Sequence, residues 1–310
     1  MTSRGCPYDC SFCTVTTTFG RKMRYRSPER VVAEMRKHDL DNTIFFIYDD
    51  NFAANPRRTR EMLAAFRTLP SKPRFSAQVR ADLARDPDLL DEMRAAGADT
   101  FFIGLESVNQ ESLTNAKKRQ DLTKVGEHLA AIHQRGIVVH GMFVLGFDED
   151  GPGTMERTVA FAQQHDLFSV QFLILTPLPG SRTHREMEDE GRVILHDWSL
   201  YDAHHVVFRP RNVTPSDLMR WQYQGHWLFY TRKQLFKRLL QRKWLGAFLT
   251  AYARRINRRW NRDNAGYLET LRQLSSPRVK DFPREHIREF PELAEAIAES
   301  RGAARRKLAS

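Results

Sequence analysis

From Thr43 to about Glu190, short apolar runs alternate with stretches of helical spacing. Ile44-Phe45-Phe46-Ile47-Tyr48 reads as a strand that stops at Asp49-Asp50, and Arg74–Gln78, Phe101–Ile103, Val138–Leu145 and Val170–Leu175 read as four more. Between them the spacing predicts helices from about Pro56 to Arg67 and Pro87 to Ala96, and a long helical stretch ending near Arg135-Gly136. Two more helices follow, from about Thr154 to His165 and over Arg182–Glu190. Ser27-Pro28-Glu29-Arg30 is a helix start, with Ser27 at the N-cap and Pro28 in the first turn. Strands alternating with helices imply a parallel sheet with right-handed crossovers, either barrel-like or doubly wound. In such barrels chemistry gathers where strands end. Polar residues punctuate those ends here: Asp49-Asp50, Arg80, Glu106-Ser107, Asp148 and Thr176-Pro177.

The chain has three cysteines, and they fall within eight residues as Cys6-x3-Cys10-x2-Cys13. Such a sulfur-rich pocket selects iron–sulfur clusters, zinc or copper(I) over hard cations. A closed zinc site wants a fourth ligand at a recognisable spacing, and none follows nearby; a distant histidine such as His38 is the alternative. A four-iron cluster held by three cysteines instead keeps one iron open to a small molecule. Gly5 and Pro7 fix a tight loop around the first ligand. Asp9 and Ser11 are expected to leave backbone N–H groups free for cluster sulfurs.

The run Ser3-Arg4-Gly5-Cys6-Pro7-Tyr8-Asp9-Cys10-Ser11-Phe12-Cys13 resembles the cluster loop of the radical S-adenosylmethionine (SAM) enzymes. Downstream, four segments in order resemble the strand ends of that superfamily's cobalamin-associated branch, which includes hopanoid methylases and the anaerobic ring cyclase of chlorophyll synthesis. They are Tyr48-Asp49-Asp50-Asn51-Phe52, Ile103-Gly104-Leu105-Glu106-Ser107, Gly141-Met142-Phe143-Val144-Leu145-Gly146-Phe147-Asp148 and Leu175-Thr176-Pro177-Leu178-Pro179-Gly180-Ser181. Glu190-Gly191-Arg192 with Asp197-Trp198 is similar to the branch's segment after the barrel.

The resemblance implies an α/β fold: a partial (β/α)6 barrel over residues 1–200, with its cluster loop at 3–14. A basic, aromatic-rich, mainly helical extension follows over 201–310. The family's first barrel strand runs into the cluster loop; here the loop opens at Ser3, so that strand is expected missing or vestigial, leaving five. The implied cofactors are a [4Fe-4S] cluster on Cys6, Cys10 and Cys13, and SAM. Cobalamin belongs to the branch, but its domain lies N-terminal to the barrel and outside these residues. Reductive cleavage of SAM to a 5′-deoxyadenosyl radical is implied, then hydrogen abstraction and methylation or rearrangement of a small or lipidic metabolite. The electron would come from a donor such as flavodoxin or ferredoxin.

For SAM itself, the resemblance sets Asp49 and Asp50 near its amino group, Glu106 near the ribose and Phe12 beside the adenine. Arg80 is a candidate for the carboxylate, and Gly141 and Thr176 for close approach of the nucleoside. Each has a plainer reading: Asp caps helices, Arg80 could be a surface ion pair, and Gly141 could mark a strand bend. His140 reads as a satisfied histidine, and the adjacent His204-His205 point to opposite faces of an extended segment.

Charge changes the picture only at the C-terminus. Residues 207–310 carry 23 Lys and Arg against 9 Asp and Glu, whereas the rest carries 26 against 29. Residues 220–262 hold twelve cations, ten aromatics and no acid, with pairs such as Arg232-Lys233 and Arg258-Arg259. Such a segment suits an anionic membrane surface, a polyanion, or a helical cap whose cations snorkel into water. No apolar run approaches the 18 residues of a spanning helix, and no signal-peptide core precedes the cysteines; a cytoplasmic, membrane-peripheral setting is expected. Two rivals stand beside the radical SAM reading. A truncated, non-catalytic metal-binding fragment is one. An RNA-modifying enzyme of the methylthiotransferase kind is the other, and it would need cysteines for a second cluster; nucleic acid is not the expected partner. The last residues, 301–310, read as disordered.

Overall fold

A computed structural model of the chain describes residues 1–275. Before the main sheet, β1 (Ser3–Arg4) and β2 (Arg24–Tyr25) pair antiparallel as a separate ribbon, with α1 (Val15–Phe19) between them. Then α2 (Pro28–Met35) leads into five strands in chain order: β3 (Ile44–Ile47), β4 (Arg74–Val79), β5 (Ala98–Glu106), β6 (Val138–Leu145) and β7 (Ser169–Ile174). The pairs from β3 to β6 are parallel. Five strands is the number read from the sequence, and the two-residue β1 lies outside that sheet.

The crossovers are α3 (Pro56–Phe66), α4 (Pro87–Ala95), α5 (Gln110–Asn115) with α6 (Leu122–Gln134), and α7 (Thr154–Gln164). Asn55 and Asp86 cap α3 and α4 by accepting from Arg58 N at 3.2 Å and Leu89 N at 3.0 Å, and each helix opens on proline. Ser27 occupies the N-cap of α2 but makes no side-chain cap bond. The single long helix read before Arg135-Gly136 is two helices. Lys117 and Arg119 adopt left-handed backbone (φ +53° each) and stop α5, and Asp121 caps α6 anew. The third strand is longer than its apolar kernel Phe101–Ile103.

Alternation along β5 and β6 divides the sheet's two faces. Phe101, Ile103, Val139, Gly141 and Phe143 are buried, while Phe102, Gly104, His140 and Met142 point to a half-exposed face. Each large apolar side chain fully buried on the first face contributes roughly 1.5–3 kcal/mol.

Packing separates two units. The first comprises residues 1–144, 160–171 and 178–182; the second comprises 145–159, 172–177 and 183 onward. In the second, α8 (Arg182–Asp189), whose first residue belongs to the first unit, is followed by α9 (Pro215–Phe229), α10 (Arg232–Leu240), α11 (Trp244–Asp263) and α12 (Ala265–Leu274). There α9 packs against α11 and α12, and the fully buried Tyr267 donates its hydroxyl to Val206 O at 2.9 Å. The expectation for residues 301–310 lies outside the described residues. Among the described residues no helix is long and apolar enough to cross a membrane.

Candidate active site

Residues 5–14 form the cysteine loop of the first unit, between β1 and α1. Gly5 has φ +97°, and a Cβ there would lie 2.9 Å from Lys22 O and 3.0 Å from Gly20 O, so only glycine fits. Ser11 N donates to Ala116 O at 2.9 Å, tying the loop to the end of α5. That amide is therefore not available to a cluster sulfur as the sequence suggested. Two other amides reach sulfurs, Tyr8 N at Cys6 and Val15 N, 3.4 Å from Cys13 Sγ. Asp9 is clamped by Arg21 and, at 3.1 Å, by Arg182, and Arg21 chiefly holds its carboxyl below the usual range. Phe12 sits half-buried in the turn between Cys10 and Cys13.

The three thiols are half-exposed and free of disulfides. Burial pushes all of them up, Cys13 to about 11, against partial relief from the charges of Lys118 and Arg80 at Cys6 and Cys10. Among the described residues no three Cys, His, Asp or Glu side chains close on a single ion position. His38, the candidate fourth zinc ligand, packs edge-on against Phe45 at 6.0 Å. Three free thiols on one short loop are a donor set that suits an iron–sulfur cluster.

The two aspartates after β3 have different roles. Asp49 is buried and accepts from Thr2 N and Thr2 Oγ1, both at 2.5 Å, and from Ser3 Oγ at 2.7 Å. Its carboxylate anchors the strand stub and has little left for a ligand. Asp50 takes a hydrogen bond from the Gly5 amide, yet its Oδ2 is buried with no partner. Burial raises its pKa, and the neighbouring Asp49 charge adds to the rise. An orphan carboxylate oxygen beside the cysteine loop has the chemistry to accept from a cationic group.

Arg80, after β4, is buried rather than on the surface. It pairs with Asp82 at 3.2 Å, donates to Arg119 O at 3.0 Å and stacks on the Tyr8 ring at 4.1 Å. It thus braces the cysteine loop through Tyr8. Glu106 ends β5 with φ +61° and accepts from Lys118 Nζ at 2.5 Å. The side chain folds over Gly104, where a Cβ would come within 2.3 Å of Glu106 Oε1. Sequence reasoning missed Lys118, whose left-handed neighbours Lys117 and Arg119 turn it inward.

Gly141 lies within β6. Alternation puts it on the buried face, where a Cβ would meet Leu167 Cδ1 at 2.5 Å and Leu105 at 3.3 Å. There the missing Cβ makes room for packing. The half-exposed face instead carries a row the sequence reading did not assemble. Phe46 and Phe102 have ring centres 5.0 Å apart, Phe102 and His140 4.8 Å, and His140 Nδ1 lies 2.7 Å from Ser169 Oγ. His140 is satisfied, as read. Thr176 belongs to the second unit, where its hydroxyl donates to Ile174 O at 3.1 Å. Asp148 is there too, paired with Arg192 at 2.5 Å and Arg211 at 2.7 Å. His204 and His205 have separate partners, Gln222 for the first and Asp202 with Asn264 for the second.

The first unit therefore gathers the three cysteines, Asp50, Arg80 and the Glu106–Lys118 pair. The sequence model of the Radical SAM superfamily matches residues 1–162. The bacteriochlorophyllide d C-12(1)-methyltransferase of Chlorobaculum tepidum is 30% identical over 224 residues, covering 71% of this chain and 48% of that protein. The anaerobic magnesium-protoporphyrin IX monomethyl ester cyclase of Cereibacter sphaeroides is 29% identical over 76% of this chain and 39% of its own. The chain spans about half the length, or less, of these curated relatives. Among solved structures, the cobalamin-dependent SAM radical enzyme OxsB covers 97% of this chain and 57% of its own at TM-score 0.57 and 15% identity. The methyltransferase TsrM from Kitasatospora setae covers 61% of this chain and 38% of its own at TM-score 0.55 and 18% identity. Those two likenesses establish the partial-barrel fold.

Proposed function

This chain belongs to the radical SAM superfamily, and from that premise we propose that it is a catalytic part of a radical SAM methylase or cyclase acting on a small or lipidic metabolite. The single observation that carries the reading is the Asp50 carboxylate, which accepts from the Gly5 amide in the loop that bears Cys6, Cys10 and Cys13 while its Oδ2 is left unpaired. Cys6, Cys10 and Cys13 would hold a four-iron cluster, which when bound and reduced would supply the electron for reductive cleavage of SAM.

The protein's own residues bind and orient. Asp50 receives the SAM ammonium in a charge-assisted hydrogen bond. Lys118 fixes Glu106 Oε1, leaving Oε2 to accept from ribose hydroxyls. Arg80 holds the cysteine loop through Tyr8 rather than reaching for the carboxylate. The aromatic row Phe46, Phe102 and His140 gives a substrate an apolar, half-open wall. Cobalamin, named for the two structural neighbours, is assigned to none of the described residues.

A one-electron donor such as flavodoxin or ferredoxin is proposed to approach on the outer side of the loop. A hollow of about 600 Å³ there is bordered by Arg21, Lys117 and Arg119 against the one acid Asp9, a net basic rim suited to an acidic donor.

Anaerobic reconstitution with iron and sulfide tests the reading. About four irons per chain are expected, with SAM-dependent release of 5′-deoxyadenosine, and loss of both in Cys10→Ala. Uptake of one zinc with no SAM cleavage would leave the non-catalytic fragment as the better account.

A further inference from the structure

The segment from α10 to α11 bends as a helical hairpin, and its elbow is bare. Residues 239–245 are all exposed, with Leu240 at 86% and Trp244 at 66% relative accessibility. The apolar surface continues down α11 through Leu245, Phe248 at 64%, Tyr252 and Ile256, at spacings of three and four that keep them on one face. Phe248 and Tyr252 stack with ring centres 5.8 Å apart. The hairpin is held from inside rather than by this face: buried Arg238 donates to Gly246 O at 2.9 Å and to Thr250 Oγ1 at 2.8 Å.

Along the same helix, past the apolar part, lies a groove of about 850 Å³. Arg232 of α10 borders it, with Arg254, Arg255, Arg258, Arg259 and Arg262 of α11. One acid borders it, Asp263, 3.6 Å from Arg259. Two of the guanidinium groups are braced over the Trp227 ring, Arg254 at 4.0 Å and Arg258 at 5.0 Å. Burial lowers the Arg254 pKa, and the charges of Arg258 and Arg232 lower it further. Six cations thus crowd one groove with one counter-charge, an arrangement that an anion relieves.

We infer that this hairpin is a membrane-surface anchor: the elbow around Leu240, Trp244 and Phe248 enters the interface while the arginine groove takes anionic lipid headgroups. The combination selects the occupant. A nucleic acid would use the arginines and stack on aromatics, but it offers nothing to the exposed aliphatic Leu240 and Leu245. An anionic bilayer matches both halves, apolar side chains at the acyl boundary and arginines at the phosphates. The inference stands apart from the radical chemistry, since neither cluster nor SAM takes part.

The test is co-sedimentation of the full chain, without cluster or SAM, with phosphatidylglycerol–phosphatidylcholine vesicles and with pure phosphatidylcholine vesicles, at low and high salt. Binding to the anionic vesicles is expected, at least tenfold weaker on the neutral ones and weakened by salt. Arg255→Gln with Arg262→Gln should weaken it about fivefold per arginine. Trp244→Ser with Phe248→Ser should weaken it tenfold or more with the circular dichroism unchanged, because neither side chain packs inside. No binding to anionic vesicles overturns the inference, as does binding that ignores both variant pairs. So does single-stranded RNA binding without vesicle binding, or a dimer that Trp244→Ser breaks in a protein that ignores vesicles.

Discussion

Lys118 Nζ lies 2.5 Å from Glu106 Oε1, and the two side chains are only 9% and 11% exposed. Breaking a buried pair by removing one partner leaves the other charge uncompensated, at a cost of about 3–5 kcal/mol. Lys118→Met should therefore lower the unfolding free energy of the cluster-free chain by about that much in urea titration. The double variant Lys118→Met, Glu106→Gln should recover most of the stability but not the affinity for SAM, measured by calorimetry on reconstituted protein. Full recovery of both would assign the pair to folding alone.

Asp49 and Asp50 should separate cleanly. Asp50→Asn removes the charge proposed to face the SAM ammonium and should weaken SAM binding about tenfold to a hundredfold, with stability unchanged or slightly raised. Asp49→Asn instead disturbs the bonds to Thr2 and Ser3 and should lower stability by about 1–3 kcal/mol. Equilibrium SAM binding and thermal melting of both variants decide it; equal effects on SAM would contradict the division.

Gly5→Ala forces a Cβ against two backbone carbonyls at positive φ. The loop must shift or strain by roughly 1–3 kcal/mol. Iron content after reconstitution should fall while the circular dichroism of the sheet and helices is kept. Undiminished iron would mean that the loop tolerates another path.

His226 sets a pH limit in the second unit. Burial depresses its pKa to about 4 from an ordinary 6.5, and its ring lies 2.8 Å from Gln222 O. The folded state thus excludes a proton that the unfolded chain accepts. Stability should be full above pH 6.5 and fall by about 3 kcal/mol as the pH drops toward 4. His226→Gln should flatten that slope in melting curves taken at successive pH values. An unchanged slope would shift the acid sensitivity to other groups.

What the sequence made legible follows from how local each signal was. The cysteine loop was readable because its ligands, Gly5 and Pro7 lie within a few residues of one another. The five strands were readable because apolar runs end at polar punctuation. Asp49 and Asp50 could not be told apart, being adjacent and chemically alike; donors arriving from Thr2 and Ser3, more than forty residues away, distinguish them. Lys118 escaped notice because its inward turn depends on left-handed backbone at Lys117 and Arg119, which neither residue type advertises. Gly141 could not be given a face from the sequence because a strand's alternation has two phases, and Leu167 packing on one side shows which applies. The break between α5 and α6 was hidden by helix-forming residues on both sides of it.

The ribbon of Ser3–Arg4 with Arg24–Tyr25 closes the chain between them into a ring fastened at its neck. All three sulfurs are carried on that ring, with the Ala116 carbonyl as a second fastening. Iron arriving at the finished fold would meet ligands already mustered, so metal assembly and chain folding become separable events, and harm to the neck should slow the first without undoing the second.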